Sequence, residues 1–449
     1  MLLLLTTVAH AATLQVGPDK AYPTPCAAAA AVADGDTVEI DAGTYTGDTC
    51  AWTASRLTIK GVGGFAHLDA AGQAAGGKAI WVIQGDDTTV SWIEFSGATV
   101  ADKNGAGIRQ EGTNLTVNHC SFHDNENGIL AGDDPESDIV VTNSEFADNG
   151  YGDGQSHNLY INHVRSFTFS FSNSHHSYIG HDLKSRAYAT YVLYSRLADD
   201  SDGQGSYQID LPNGGLAVVL GNIVQQGAEA ENGGMLSFAE EGASNPEQAL
   251  YVVNNTFVND RGSGTFVTNA SAADAVLVND LFVGGGTALD GPGAETTCLE
   301  TDAPGFIDGS EGDYTLADDS PAIDAGSDPG AAGDLSLWPA WEYTGADDGE
   351  ARPVVAALDL GAYEWGRADP GADTGADSGT DSSGDSGKTD DTAGKPGADG
   401  STACGCASAA RPPPGLPLVL GLFLLGRRAR RRTESTQPRG KSRANAPLP

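Results

Sequence analysis

Apolar and polar residues alternate along this chain in short bursts that return at a near-constant interval. LTVNHCSF ends at Phe122, IVVTNSEF at Phe146, LYVVNNTF at Phe257 and VLVNDLF at Phe282. Fainter copies end at Phe95 (VSWIEF), Ser174 (FTFSFSNS), Leu197 (YVLYSRL) and Val224 (VVLGNIV). In chain order these ends lie 23 to 33 residues apart. Inside each burst the period is two, which sends alternate side chains to opposite faces of a strand. No helical period comes between bursts. The interval therefore predicts an all-β solenoid of parallel strands, in which a coil buries its apolar row only against its neighbours.

A second short strand follows each turn: AGIRQEG, NGILAG, HNLYINH, HDLKSRA, YQIDLPNG, MLSFAEEG and GTFVTNA. Aligning these on Ile108, Ile129, Leu159, Leu183, Ile209 and Leu236 as inward residues gives an outward column. It reads Arg109, Leu130, Tyr160, Lys184, Asp210, Ser237, with Glu111, Asn162 and Arg186 two positions further on. Stacked strands lie about 4.8 Å apart, so Tyr160, Lys184 and Asp210 are expected to be neighbours, with Asn162 and Arg186 beside them. Asn118, Asn143, Asn222, Asn254 and Asn279 recur near the bend before the second strand. Asparagine tolerates left-handed turns and bonds to nearby backbone, so a stacked structural ladder is expected there.

The chain ends differ from this middle. Residues 1–12, MLLLLTTVAHAA, read as an apolar export segment with an A-x-A-like site at Ala9, His10 and Ala11. The solenoid is expected over residues 13–365. It opens with an alanine-rich run, Cys26 to Ala33, that predicts a short helix over the exposed first coil. After Thr301 the rhythm changes, and DYTLADDSPAIDAG and RPVVAALDLGAYEW close the folded part. On the coil pattern together with SPAIDAG and DLGAYE, this span resembles secreted right-handed parallel β-helix proteins of the pectate-lyase-like superfamily. The resemblance implies a right-handed parallel β-helix and speaks to architecture, not substrate.

Residues 366–403 form an acidic Gly/Ser/Thr/Asp linker with nothing apolar to pack. Residues 404–432 bring Cys404 and Cys406, an apolar run from Gly415 to Gly426 and an arginine cluster from Arg427 to Arg432. That apolar run is short of the roughly 20 residues of a membrane span. The order of parts resembles the MYXO-CTERM type of C-terminal sorting signal. The resemblance implies a segment held in the membrane with its arginines inside, then processed to leave the protein at the cell surface. Residues 433–449 extend past the usual end of such a signal and are expected to be disordered.

The formal net charge of −37 excludes nucleic acid as a partner, because phosphate binding needs a basic field. It leaves calcium open, and Asp199, Asp200 and Asp202 before the Asp210 strand are the candidate oxygen ligands. Cys26 and Cys50 flank the N-terminal unit, a pairing that an oxidising compartment would allow. Cys120 reads as a buried apolar residue, and no cysteine spacing suggests zinc. A monomer is expected.

The candidate chemistry gathers between His157 and Arg186, which holds five of the nine histidines: His157, His163, His175, His176 and His181. A lyase acting on a uronate polymer removes the proton α to a carboxylate and expels the glycosidic oxygen. It needs positive charge on the carboxylate, a base and a proton donor. Lys184 is the candidate base and Arg186 the carboxylate clamp, while Tyr160 or His181 would protonate the leaving group. Arg109, Asn162, Asp210, His157 and His176 are candidate contacts to an acidic polysaccharide. The plain alternatives are that Lys184 and Arg186 form a solvated face and that His181, inward by alternation, is a satisfied core residue. Loop acids would equally suit a glycoside hydrolase on the same scaffold. The absence of a complete catalytic motif also suits a non-catalytic surface adhesin.

Overall fold

Each coil turns the period-two bursts into strands that pair only with the same strand of the coil above and below. A computed structural model describes residues 11–345 and 349–366 of the chain. Its strands form a ten-stranded parallel sheet and a 21-stranded parallel sheet. The larger sheet bends at a corner in every coil, so the solenoid has three faces. The inward column of repeat ends is as the periodicity requires. Phe95, Phe122, Phe146, Ser174, Leu197, Val224, Phe257 and Phe282 are register partners in succession. The rings of Phe122 and Phe146 stack at 4.6 Å, and those of Phe257 and Phe282 at 5.3 Å.

Corners need left-handed backbone, and the chain supplies it in one column. His119, Asn143, Phe171, Tyr194, Gly221, Asn254 and Asn279 all have φ between 49° and 69°. The next residue of each turns inward and makes a buried ladder. Ser144, Ser172, Ser195, Asn222, Asn255 and Asp280 each accept a backbone N–H from the coil before. The five asparagines expected to stack therefore occupy different positions. Asn143, Asn254 and Asn279 are the corner itself, Asn222 is in the ladder, and Asn118 stands one residue before the corner. Asn222 accordingly bonds to Asn255 and not to Asn254.

At the N-terminal end the helix Pro25–Ala29 packs against the first coil, capped by the Thr24 hydroxyl. Cys26 and Cys50 are bonded across this unit, with Cα atoms 5.6 Å apart. After Thr301 the chain does not continue the stack. Short antiparallel pairs carry it back along the outside of the larger sheet. There Tyr314, Tyr343 and Tyr363 cover Ile223 and Val258. A fully buried ion pair, Arg352 with Glu364 at 2.7 Å, ties the return, and Arg352 also donates to the carbonyls of Asp359, Gly361 and Ala362. The export segment apart from Ala11 and Ala12, the linker after Gly366, the cysteine–apolar–arginine segment and the tail lie outside the described residues.

Candidate functional site

Three neighbouring strands of the ten-stranded sheet, Leu159–Ile161, Leu183–Ser185 and Ile209–Leu211, carry the site. Leu159, Leu183 and Ile209 point into the core and are fully buried, which turns the next residue of each strand outward. Tyr160, Lys184 and Asp210 are consecutive register partners. Lys184 Nζ donates to Asp210 Oδ2 at 2.7 Å and to Glu241 Oε1 at 3.2 Å. Arg186 lies two residues on and reaches three partners. Its Nη2 donates to Glu241 Oε2 at 2.7 Å, its Nη1 to Asn213 Oδ1 at 2.5 Å and its Nε to the Tyr160 hydroxyl at 3.0 Å. One half-exposed carboxylate, Glu241, thus bridges two cations whose side chains are mostly buried.

Two histidines wall the site. The rings of His157 and His181 stack at 4.5 Å. His157 Nδ1 accepts the His181 backbone N–H at 3.0 Å, and His181 Nδ1 accepts that of Tyr207 at 3.2 Å. With Nδ1 accepting, each neutral ring carries its proton on Nε2. His181 Nε2 then faces Asp210 Oδ2 at 3.4 Å. Burial, and then the charges of Lys184 and Arg186, push His181 down to about 3. Burial, His181 and the same two cations hold His157 well below the usual histidine range. Both are neutral N–H donors at physiological pH. The expectation that His181 lies inward fails because it precedes its strand, where alternation does not apply.

Burial pushes the Asp210 carboxyl up, against the opposing charge of Lys184. For Glu241, burial acts the same way, but the hydrogen bonds and charges of Arg186 and Lys184 outweigh it and hold the group low. Tyr207 donates its hydroxyl to Glu240 Oε2 at 2.8 Å, and burial together with that carboxylate pushes the phenol up.

Tyr207 and Asn213 complete a site for which sequence alone singled out Tyr160, Lys184, Arg186, Asp210, His157 and His181, with Glu240 and Glu241 read only as loop acids. Asn213 and Glu241 sit in turns after their strands, where no period marks a facing direction. The only signal was the pair of adjacent acids after Phe238. Other candidates lie elsewhere. Arg109 is on the column, but the apolar Leu130 separates it from Tyr160. Asn162 accepts the backbone N–H of His163 within its own turn. His176 stands at the far end of the loop leading to Lys184, against His175 and Asp202.

The calcium candidates do not converge. Asp199 is buried and its carboxylate accepts from Gly205, Gly227 and Gln208. Asp200 pairs with Arg196, and Asp202 with His176. A hard cation needs several free oxygens aimed at one point, and these three residues do not offer them.

Comparison with known proteins bears on the fold. No protein-family model matches the chain, and no curated protein matches it. Among solved structures, the pectate lyase Pel9A superposes with a TM-score of 0.59 at 16% identity, over 79% of this chain and 97% of that one. The chain has the right-handed parallel β-helix fold. A pectin methylesterase from Aspergillus niger matches over 66% of this chain and 88% of its own, at 12% identity and a TM-score of 0.29.

Proposed function

We infer that the Lys184 face binds a uronate-containing polysaccharide and cleaves it by β-elimination. The observation that carries this reading is the Glu241 carboxylate, which bridges Lys184 and Arg186 on an open face. A substrate carboxylate entering there meets the same two donors. Arg186, held by Tyr160 and Asn213, clamps it and stabilises the enolate-like charge that grows as the α-proton leaves.

The hydrogen bonds support a proton path. Lys184 Nζ passes a proton to Asp210 Oδ2, which burial has made receptive. The free amine takes the α-proton from carbon. The electron pair left behind forms the new double bond as the glycosidic C–O bond breaks. The Tyr160 oxygen accepts from Arg186 Nε, so its own proton is left to donate to the departing oxygen. His181 Nε2–H orients Asp210 and takes no part in proton transfer. No calcium at Asp199, Asp200 and Asp202 enters this scheme.

One observation favours a second reading. Asp210 is pushed up and Glu241 is held low while both touch Lys184, the division of labour between the acid and the anion of a glycoside hydrolase. Incubation with a panel of acidic polysaccharides separates the two. Elimination raises ultraviolet absorbance through the unsaturated product and is lost in Lys184→Ala and Arg186→Ala. Release of reducing ends without absorbance supports hydrolysis. Retained binding with no turnover by the wild type supports the adhesin. The export segment, linker and sorting signal fit a protein delivered to the cell surface, where such polymers are met.

A further inference from the structure

The larger sheet carries a second cluster of reactive side chains, on a different face from Lys184. His67, Glu94 and His123 project outward from three successive coils, on strands whose registers pair His67 with Glu94 and Ser96 with His123. His123 Nε2 lies 3.0 Å and His67 Nε2 3.7 Å from the same oxygen, Glu94 Oε1. All three donor atoms fall within 4.8 Å of one another. The side chains are 26 to 29% exposed, so the group is open to solvent on one side.

We propose that His67, Glu94 and His123 form a binding site for a divalent transition metal, with zinc as the type ion. Two ligands of one tetrahedral zinc, at about 2.0 to 2.2 Å each, stand roughly 3.3 Å apart. The observed separations of 3.0 and 3.7 Å straddle that value. The His123 tautomer argues the same way, while His67 Nε2 also lies 2.7 Å from the Ser96 hydroxyl. His123 Nδ1 is 2.8 Å from Asp124 Oδ2, an acceptor, so Nδ1 carries the proton. The Nε2 lone pair then faces the Glu94 oxygen, where an ion bound between the two would sit, and Asp124 stands as the outer carboxylate that fixes a metal-bound imidazole. Two imidazoles and one carboxylate suit zinc, nickel or cobalt and are poor ligands for calcium. Three protein ligands leave the fourth position to water. Because the ligands come from three coils, the bound ion clips those coils together. That origin also explains why no spacing in the sequence betrays them.

The test is a zinc titration of the untagged, chelator-stripped full chain by calorimetry, with cobalt as a spectroscopic probe. The wild type is expected to bind zinc, to melt at a higher temperature with it, and to show ligand-field bands with cobalt. His67→Ala/His123→Ala is expected to lose one zinc equivalent, the cobalt bands of that site and the associated rise in melting. Asp124→Asn, which keeps all three ligands, is expected to bind the same equivalent at least tenfold more weakly. Melting curves in chelator establish that the variants fold. A wild type that binds no zinc, or an unchanged zinc stoichiometry and affinity in the folded double variant, would overturn the proposal.

Discussion

Lys184 belongs to a mostly buried ion pair. Its ammonium neutralises Asp210, which is only 4% exposed. Lys184→Met removes one partner of a buried pair and strands the other, a change that costs about 3–5 kcal/mol. Chemical denaturation checks this, and Lys184→Met/Asp210→Leu is expected to recover much of the loss. Tyr160→Phe is different. The ring stays, and the hydroxyl goes both as proton donor and as the acceptor of Arg186 Nε. The expected outcome is a stability loss of no more than about 1–3 kcal/mol with turnover down by about 10²- to 10⁴-fold, measured as melting and as product absorbance. Of the site, Tyr160, Lys184, Arg186 and Asp210 were legible because strand alternation assigns each a direction. Asn213 was not, and Glu241 was legible only as a loop acid, since a turn residue's direction depends on backbone angles that no period encodes.

The ladder of Ser144, Ser172, Ser195, Asn222, Asn255 and Asp280 shows how a solenoid corner satisfies its buried amides. Its last member is a carboxyl. Asp280 accepts from the Asn255 backbone and side chain through Oδ1, and burial pushes it up to about 8. The folded state therefore holds this proton more tightly than the unfolded chain, whose carboxyl titrates near the ordinary aspartate value. Stability from this group is complete below that value and falls as pH rises from there towards 8. Asp280→Asn keeps the acceptor and removes the titration. The variant is expected to gain stability over wild type at pH 8 and to match it more closely at pH 5, as melting at the two values would show. The coil period and the inward phenylalanines were readable because every repeat end but Ser174 carries an apolar side chain. The asparagine ladder was misaligned by one residue because corner and ladder are adjacent and both accept Asn.

Among the described residues, the coils wrap an apolar prism and the segment after Thr301 folds back over one face. SPAIDAG and DLGAYE marked that return, yet its path is set by contacts far apart in sequence, such as Ala362 N–H to the Thr256 hydroxyl at 3.0 Å. The net charge of −37 invites screening by any cation. Since Asp199, Asp200 and Asp202 form no oxygen cage, calcium is expected to raise the melting temperature no further than sodium chloride of equal ionic strength. A larger calcium shift would place a dedicated site elsewhere on the chain.

The central claim is that Lys184 and Arg186 hold a substrate carboxylate where Glu241 now sits. It is tested most directly by calorimetric binding of a uronate oligosaccharide and its neutral methyl ester to wild type and Glu241→Gln. Glu241 is half-exposed, Lys184 keeps Asp210 and Arg186 keeps Asn213 and Tyr160, so this variant is expected to fold as wild type does. With the resident carboxylate gone, the acidic oligosaccharide is expected to bind Glu241→Gln severalfold more tightly than wild type, while the ester binds both weakly and alike. Equal binding of acid and ester, or an acid affinity that Glu241→Gln leaves unchanged or weakens, would contradict it.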